Sequence, residues 1–207
     1  TEGWLEPFSD EFYDTGIKEN YYAKGVSPFI KQTFDNNTIN GEPWSKYAAG
    51  YMWGVTGIIY NPEDVTKQEA STWKIINNDK FRRMITVKDN VRDTMFAAIG
   101  AIKSDKLRSQ DFINQADYTD KLAEEMNDTS KDTVDEVLEY LQQVKDNVYS
   151  FETDSGKIDA ITGKISAGYQ WSGDAVYIMQ QAAANDVELN FAIPEECTNM
   201  YFDGWAM

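Results

Sequence analysis

From Tyr47 to Asn61 the chain reads YAAGYMWGVTGIIYN, without one charged residue. The stretch is shorter than the roughly 20 residues a membrane-spanning helix needs. Its aromatic, β-branched and small residues suit extended chain. It therefore predicts one or two strands buried inside a folded domain. Its three glycines mark a bend or the close approach of another backbone. The Asn61-Pro62 pair ends it.

Beyond Pro62 the pattern alternates in the way a sheet covered by helices requires. STWKIINND (71–79) predicts a short helix begun by Ser or Thr, and RRMITVKD (82–89) a strand. NVRDTMFAAIGAIK then places Val91, Met95, Ala98, Ile99 and Ile102 at helical spacing, with Asn90 as N-cap. Residues 109–126 predict one amphipathic helix with Phe112, Ile113, Ala116 and Leu122 on one side. Residues 131–148 predict another, with a stripe of Val134, Val137, Leu138, Leu141 and Val144 and acids at its start. VYSFE predicts a short strand, and KIDAITGK helical turns ending at Gly163. Then come strand ISAGYQW, helix DAVYIMQQAAAN and strand VELNFAIP. This order argues an α/β fold. Residues 1–46 are turn-rich, with weak helical signals near Glu11–Tyr13 and Pro28–Thr33. The last stretch ends on Gly-Trp-Ala-Met, apolar and strand-like, as expected of a piece of a longer protein.

Composition removes whole classes of chemistry. The 207 residues contain no His, so His-based zinc sites, Ser-His-Asp triads and Cys-His dyads are excluded within the chain. The single Cys197 forms no internal disulfide and reads as a small buried residue. No Gly-rich phosphate loop with Lys and no EF-hand spacing is present, so neither cofactor nor metal is expected. The net charge of −16 opposes nucleic acid and anionic lipid and attracts cations. Plain solubility is the bland account of the same charge.

Three places combine acids with positions suited to a cleft. Asn90 and Asp93 stand three apart where a strand gives way to a helix, the usual mouth of an α/β cleft. The same pair also fits a helix-capping arrangement. Trp171-Ser172-Gly173-Asp174 lies at a second strand-to-helix turn, where Ser or Asp also suits a cap and Trp suits packing. Tyr201-Phe202-Asp203 sets an acid in an apolar strand, where it is paired, exposed or functional. Brought together, these acids and aromatics make an anionic, aromatic-lined pocket for an organic cation.

The ordered blocks YAAGYMWGVTGIIYN, STWKII, VKDNVRDT, GKISAGYQWSGDA and LNFAIPEECTNMYFDGWAM resemble the spermidine/putrescine-binding proteins of bacterial ABC importers. The resemblance runs from about Tyr47 onward, and more loosely includes GWLEPF. It implies a class II periplasmic-binding-protein fold with ligand held between two lobes. Residues 1–50 would be a partial first lobe and the start of a crossover. Residues 51–192 would be the second lobe, and 193–207 the second crossover. It further implies a chain outside the cytoplasm, periplasmic or on the cell surface, that meets membrane permease subunits and performs no catalysis.

Carried over by position, Asp93 falls on the family acid that binds an amine, here Asp where Glu is common. Asn90 replaces a family Asp and removes a charge. Trp171 would pack along the ligand's methylenes. Asp174 matches an acid of putrescine-preferring members, Asp203 would hold an ammonium, and Tyr201 would line the pocket. Two other readings stand beside this one. One is a carbohydrate-active hydrolase using two carboxylates among Asp93, Asp174 and Asp203. The other keeps the binding fold but changes the ligand, to another amine or a metal chelate, with Tyr21-Tyr22 as the pair a ferric site would use.

Overall fold

The computed structural model describes residues 3–14, 16 and 24–207. The chain divides into a larger unit, Val55–Asn199, and a smaller one that joins Thr1–Gly54 to Met200–Met207. The strands are β1 (Thr38–Ile39), β2 (Glu42–Pro43), β3 (Ala48–Tyr60), β4 (Ile85–Lys88), β5 (Ser150–Glu152), β6 (Ala167–Trp171), β7 (Asn190–Ala192) and β8 (Met200–Ala206). The main helices are α1 (Pro28–Asn36), α2 (Val91–Ile102), α3 (Tyr118–Met126), α4 (Lys131–Asn147), α5 (Ser155–Ile161) and α6 (Ser172–Ala183).

The fold is α/β with a mixed sheet. Its order is β5-β4-β6-β3-β7, and β8 also pairs with β3. β4 runs parallel to β5 and β6, whereas β3 runs antiparallel to β6 and β7. Parallel neighbours need helical crossovers, and those crossovers cover both faces of the sheet. Successive residues of β3 show this. Ile58 belongs to a core cluster with Trp73, Ile85, Val87 and Val144, and Ile59 to a second one with Ile165, Ala175 and Ile178. Each of these two isoleucines is almost fully buried, and each contributes about 2 kcal/mol. Gly57 is required in the same strand, because a Cβ there would meet the Ala192 carbonyl at 2.5 Å and the Phe191 ring at 2.6 Å.

Several expectations need correction. The uncharged run is one strand, but only its second half is core. Tyr51, Met52 and Trp53 lie exposed, with Trp53 stacked on Phe202 and Tyr51 edge-on to Trp205. Aromatic pairing rather than a covering layer occupies Tyr51 and Trp53. The short helix expected near 71–79 does form, as a 3₁₀ helix over residues 73–77 capped by Thr72. The helix expected over 109–126 breaks, leaving Gln110–Ile113 and α3 with Asn114–Asp117 between them. In α2 the buried face is Asp93, Thr94, Ala97, Ala98, Ile99, Gly100 and Ala101, and Val91 is exposed. In α4 Val137 and Val144 are buried while Val134 and Leu138 face out, so the core takes a narrower stripe than the periodicity suggests. α5 and α6 form where the pattern puts them, and Gly163, at φ +69°, follows the end of α5.

In the smaller unit α1 buries Ile30 and Phe34. Phe34 meets Trp44 and Phe202 edge-on, and the loop before Asp10 is tied in by Phe8 N–H donating to the Lys46 carbonyl.

Candidate functional site

β4 and β6 are parallel neighbours, so their carboxyl ends open on the same edge of the sheet. Each passes almost at once into a helix. After β4, Asn90 is the N-cap of α2, and its side chain accepts from the Asp93 N–H at 3.2 Å. The reciprocal half of a capping box is not made. The Asp93 carboxylate points elsewhere, and its Oδ2 accepts from the Trp171 indole Nε1–H at 3.1 Å. After β6, Trp171 itself is the N-cap of α6, with no side-chain cap bond. The Ser172 hydroxyl instead accepts from the Val55 N–H at 3.1 Å. Neither Ser172 nor Asp174 caps this helix.

The cation that faces the indole is the protein's own. Lys88, the last residue of β4, is 1% exposed. Its Nζ lies 3.9 Å from the centroid of the Trp171 ring and donates to Gln170 Oε1 at 2.7 Å. A cation–π contact in a dry setting is worth about 2 kcal/mol. Burial pushes the Lys88 ammonium down to about 8. Asp174, Asp93 and Asp154 pull against that shift, and Lys157 adds to it.

Asp93, Asp154 and Asp174 each have a basic side chain beside them. Asp174 pairs with Lys157 at 3.0 Å, and the same ammonium reaches Asp154 at 3.0 Å. Asp93 is fully buried, with Arg92 Nε 3.6 Å from its Oδ1. That Oδ1 has no hydrogen-bond partner among the described residues. Around Lys88, the acids Asp93, Asp154 and Asp174 are thus met by the bases Arg92 and Lys157.

Asn90, Asp93, Trp171 and Asp174 are thus gathered within the larger unit. Tyr201 and Asp203 lie on β8, in the smaller one. Asp203 is exposed and ion-pairs with no described residue, and Tyr201 is half-buried. Tyr21-Tyr22 lies outside the described residues. Among the described residues no group of three or more acids or Cys is placed to hold a metal ion. A separate cleft on the larger unit is lined by Arg92, Met95, Phe96, Ile99, Met126 and Asn199, without Trp171 or Asp174.

The sequence reading missed Lys88, Gln170 and Lys157. One signal for Lys88 was available. Ile85 and Val87 alternate onto one face of β4, so Thr86 and Lys88 turn to the other. In a parallel sheet covered on both sides, that second face is also interior.

The family model for bacterial extracellular solute-binding proteins matches residues 2–207. The chain belongs to this family. Its curated relatives include the putrescine-binding periplasmic protein of Escherichia coli K12, 25% identical over 169 residues, or 80% of this chain and 43% of that one. Another is the spermidine/putrescine-binding periplasmic protein 1 of Haemophilus influenzae, 20% identical over 211 residues, covering 94% of this chain and 51% of the relative. The chain spans about half the length of the curated relatives it matches. Its fold is shared with the substrate-binding protein of a spermidine/putrescine ABC transporter from Streptococcus pneumoniae. There the TM-score is 0.67 at 19% identity, covering 97% of this chain and 50% of that structure. Among the described residues no helix is long and apolar enough to cross a membrane.

Proposed function

We propose that this chain is part of the solute-binding component of an ABC importer that captures polyamines outside the cytoplasm, with putrescine favoured over spermidine. The observation that carries this reading is the ammonium of Lys88 held on the Trp171 face beside Asp93 and Asp174. An alkylammonium is what this edge of the sheet accommodates, and a diamine presents the same group at the end of a similar methylene chain. The names of the two curated relatives support the ligand class.

In this reading the larger unit is one lobe of a two-lobed binder and the smaller unit contributes to the other. Trp171 packs along the ligand's methylenes up to the ammonium at their end, whose charge Asp174 accepts. Asp93 adds charge and fixes the indole through its hydrogen bond, and Asn90 holds the turn that carries Asp93. Asp203 and Tyr201 supply the other ammonium site. Lobe closure desolvates the amines, which must then be paired with acids. The closed form docks on the permease, and no bond is made or broken.

Calorimetric titration of putrescine and spermidine into the intact protein tests this. Each charged hydrogen bond is worth about 1.5–3 kcal/mol, so Asp174→Asn and Asp203→Asn should each weaken binding roughly tenfold to a hundredfold. No heat with either polyamine, from protein shown to be folded, ends the polyamine reading.

A further inference from the structure

We propose that Lys88 is a resident occupant of the amine position, a tethered ammonium that a ligand amine must displace from the Trp171 face. The inference rests on the polyamine reading above and adds a residue that sets the affinity and selectivity of the same site.

The geometry carries it. An ammonium bound to this edge needs an aromatic face, a neutral acceptor and nearby carboxylates. Lys88 already takes the first at 3.9 Å and the second, Gln170 Oε1, at 2.7 Å. Asp174 and Asp93 supply the third by their charge. Two ammonium groups cannot share one indole face at such range without strong repulsion. A ligand amine therefore either takes the place of Lys88 or does not reach this face. The long lysine stem permits the first outcome, since it can swing its head group toward water while its methylenes stay in contact.

The surroundings of Lys88 define how pH enters. Gln170 and Trp171 face it from β6, and Asp174 from α6. Asp93 and Arg92 lie on α2, Asp154 and Lys157 at the start of α5, and Glu152 is its register partner on β5. Burial lowers the Lys88 ammonium to about 8, so it loses its proton well before a free alkylamine does near 10.4. Raising the pH from 7 to 9 then removes the Lys88 charge that repels a ligand amine, while the ligand stays charged. The fraction of neutral Lys88 rises about tenfold over that interval, and the affinity for putrescine should rise about tenfold with it.

The test uses the intact protein with putrescine and spermidine as probes. Lys88→Met should tighten putrescine binding at pH 7 at least tenfold and flatten its pH profile between 7 and 9. Lys88→Arg, which keeps a permanent cation, should bind no better than the wild type at either pH. A second measurement needs no variant. The ε-methylene protons of Lys88, shifted upfield by the indole ring current, should return to ordinary lysine values as putrescine saturates the protein. Binding by the wild type with no gain in Lys88→Met, or a ring-current shift that persists at saturation, overturns this inference and leaves the polyamine reading intact. No binding by either the wild type or Lys88→Met overturns both.

Discussion

The turns after β4 and β6 are written in the same local grammar and solve different problems. Each ends a parallel strand, starts a helix and places an aspartate at its third helical position, Asp93 in α2 and Asp174 in α6. At the first, Asn90 caps the helix and releases the Asp93 carboxylate to reach Trp171. At the second, no side chain caps the helix, and Asp174 turns to Lys157. Asp93 is fully buried, whereas the Asp174 side chain keeps 26% of its exposure. A short motif specifies the turn, and partners far along the chain decide what its acid does.

The sharpest way to break this comparison is to remove the buried acid. Asp93→Ala leaves the Trp171 indole N–H without its acceptor and frees the ring to reorient. The expected loss is about 1.5–3 kcal/mol in urea unfolding, the range for a hydrogen bond to a charged group. Asp93→Asn keeps an oxygen for the indole and should recover more than half of that. An Asp93→Ala variant as stable as the wild type would mean that the Trp171 bond does not organise this edge.

Asn90 gives the next effect in size. Asn90→Ala removes the acceptor for the Asp93 N–H and should cost about 1 kcal/mol, while Asn90→Gly should cost only a few tenths. Equal losses in the two variants would shift the explanation from capping to some other role of the side chain.

These two residues also show how far the sequence could be read. The strands and helices around the edge come from period and capping signals, because those depend on neighbours a few residues away. Asn90 as a cap is of that kind. The Asp93–Trp171 bond is not, since it joins residues 78 apart in sequence. Lys88 is less legible still. At the end of a strand a lysine reads as a solvated boundary residue. Only the parallel pairing of β4 with β6 puts it beside Gln170 and next to Trp171. The break at Asn114–Asp117 was hidden for the opposite reason, since apolar spacing continues across it while the helix does not.

The smallest effect separates the two acids most cleanly, because it depends on salt. Asp174→Asn removes an ion pair with Lys157, whose side chain is 22% exposed, and a negative charge from the first turn of α6. Together these are worth about 0.5–1 kcal/mol at low ionic strength. Lys157 retains Asp154, so it is not left unpaired. At 1 M salt the Debye length falls to roughly 3 Å, and the Asp174→Asn loss should shrink by half or more. The Asp93→Ala loss should hardly move, because a fully buried hydrogen bond is out of reach of the ions. Urea unfolding of both variants at roughly 0.05 M and 1 M NaCl checks this. Matching salt dependence would mean that water reaches both carboxylates alike, and the contrast between a buried and an open acid would then fail.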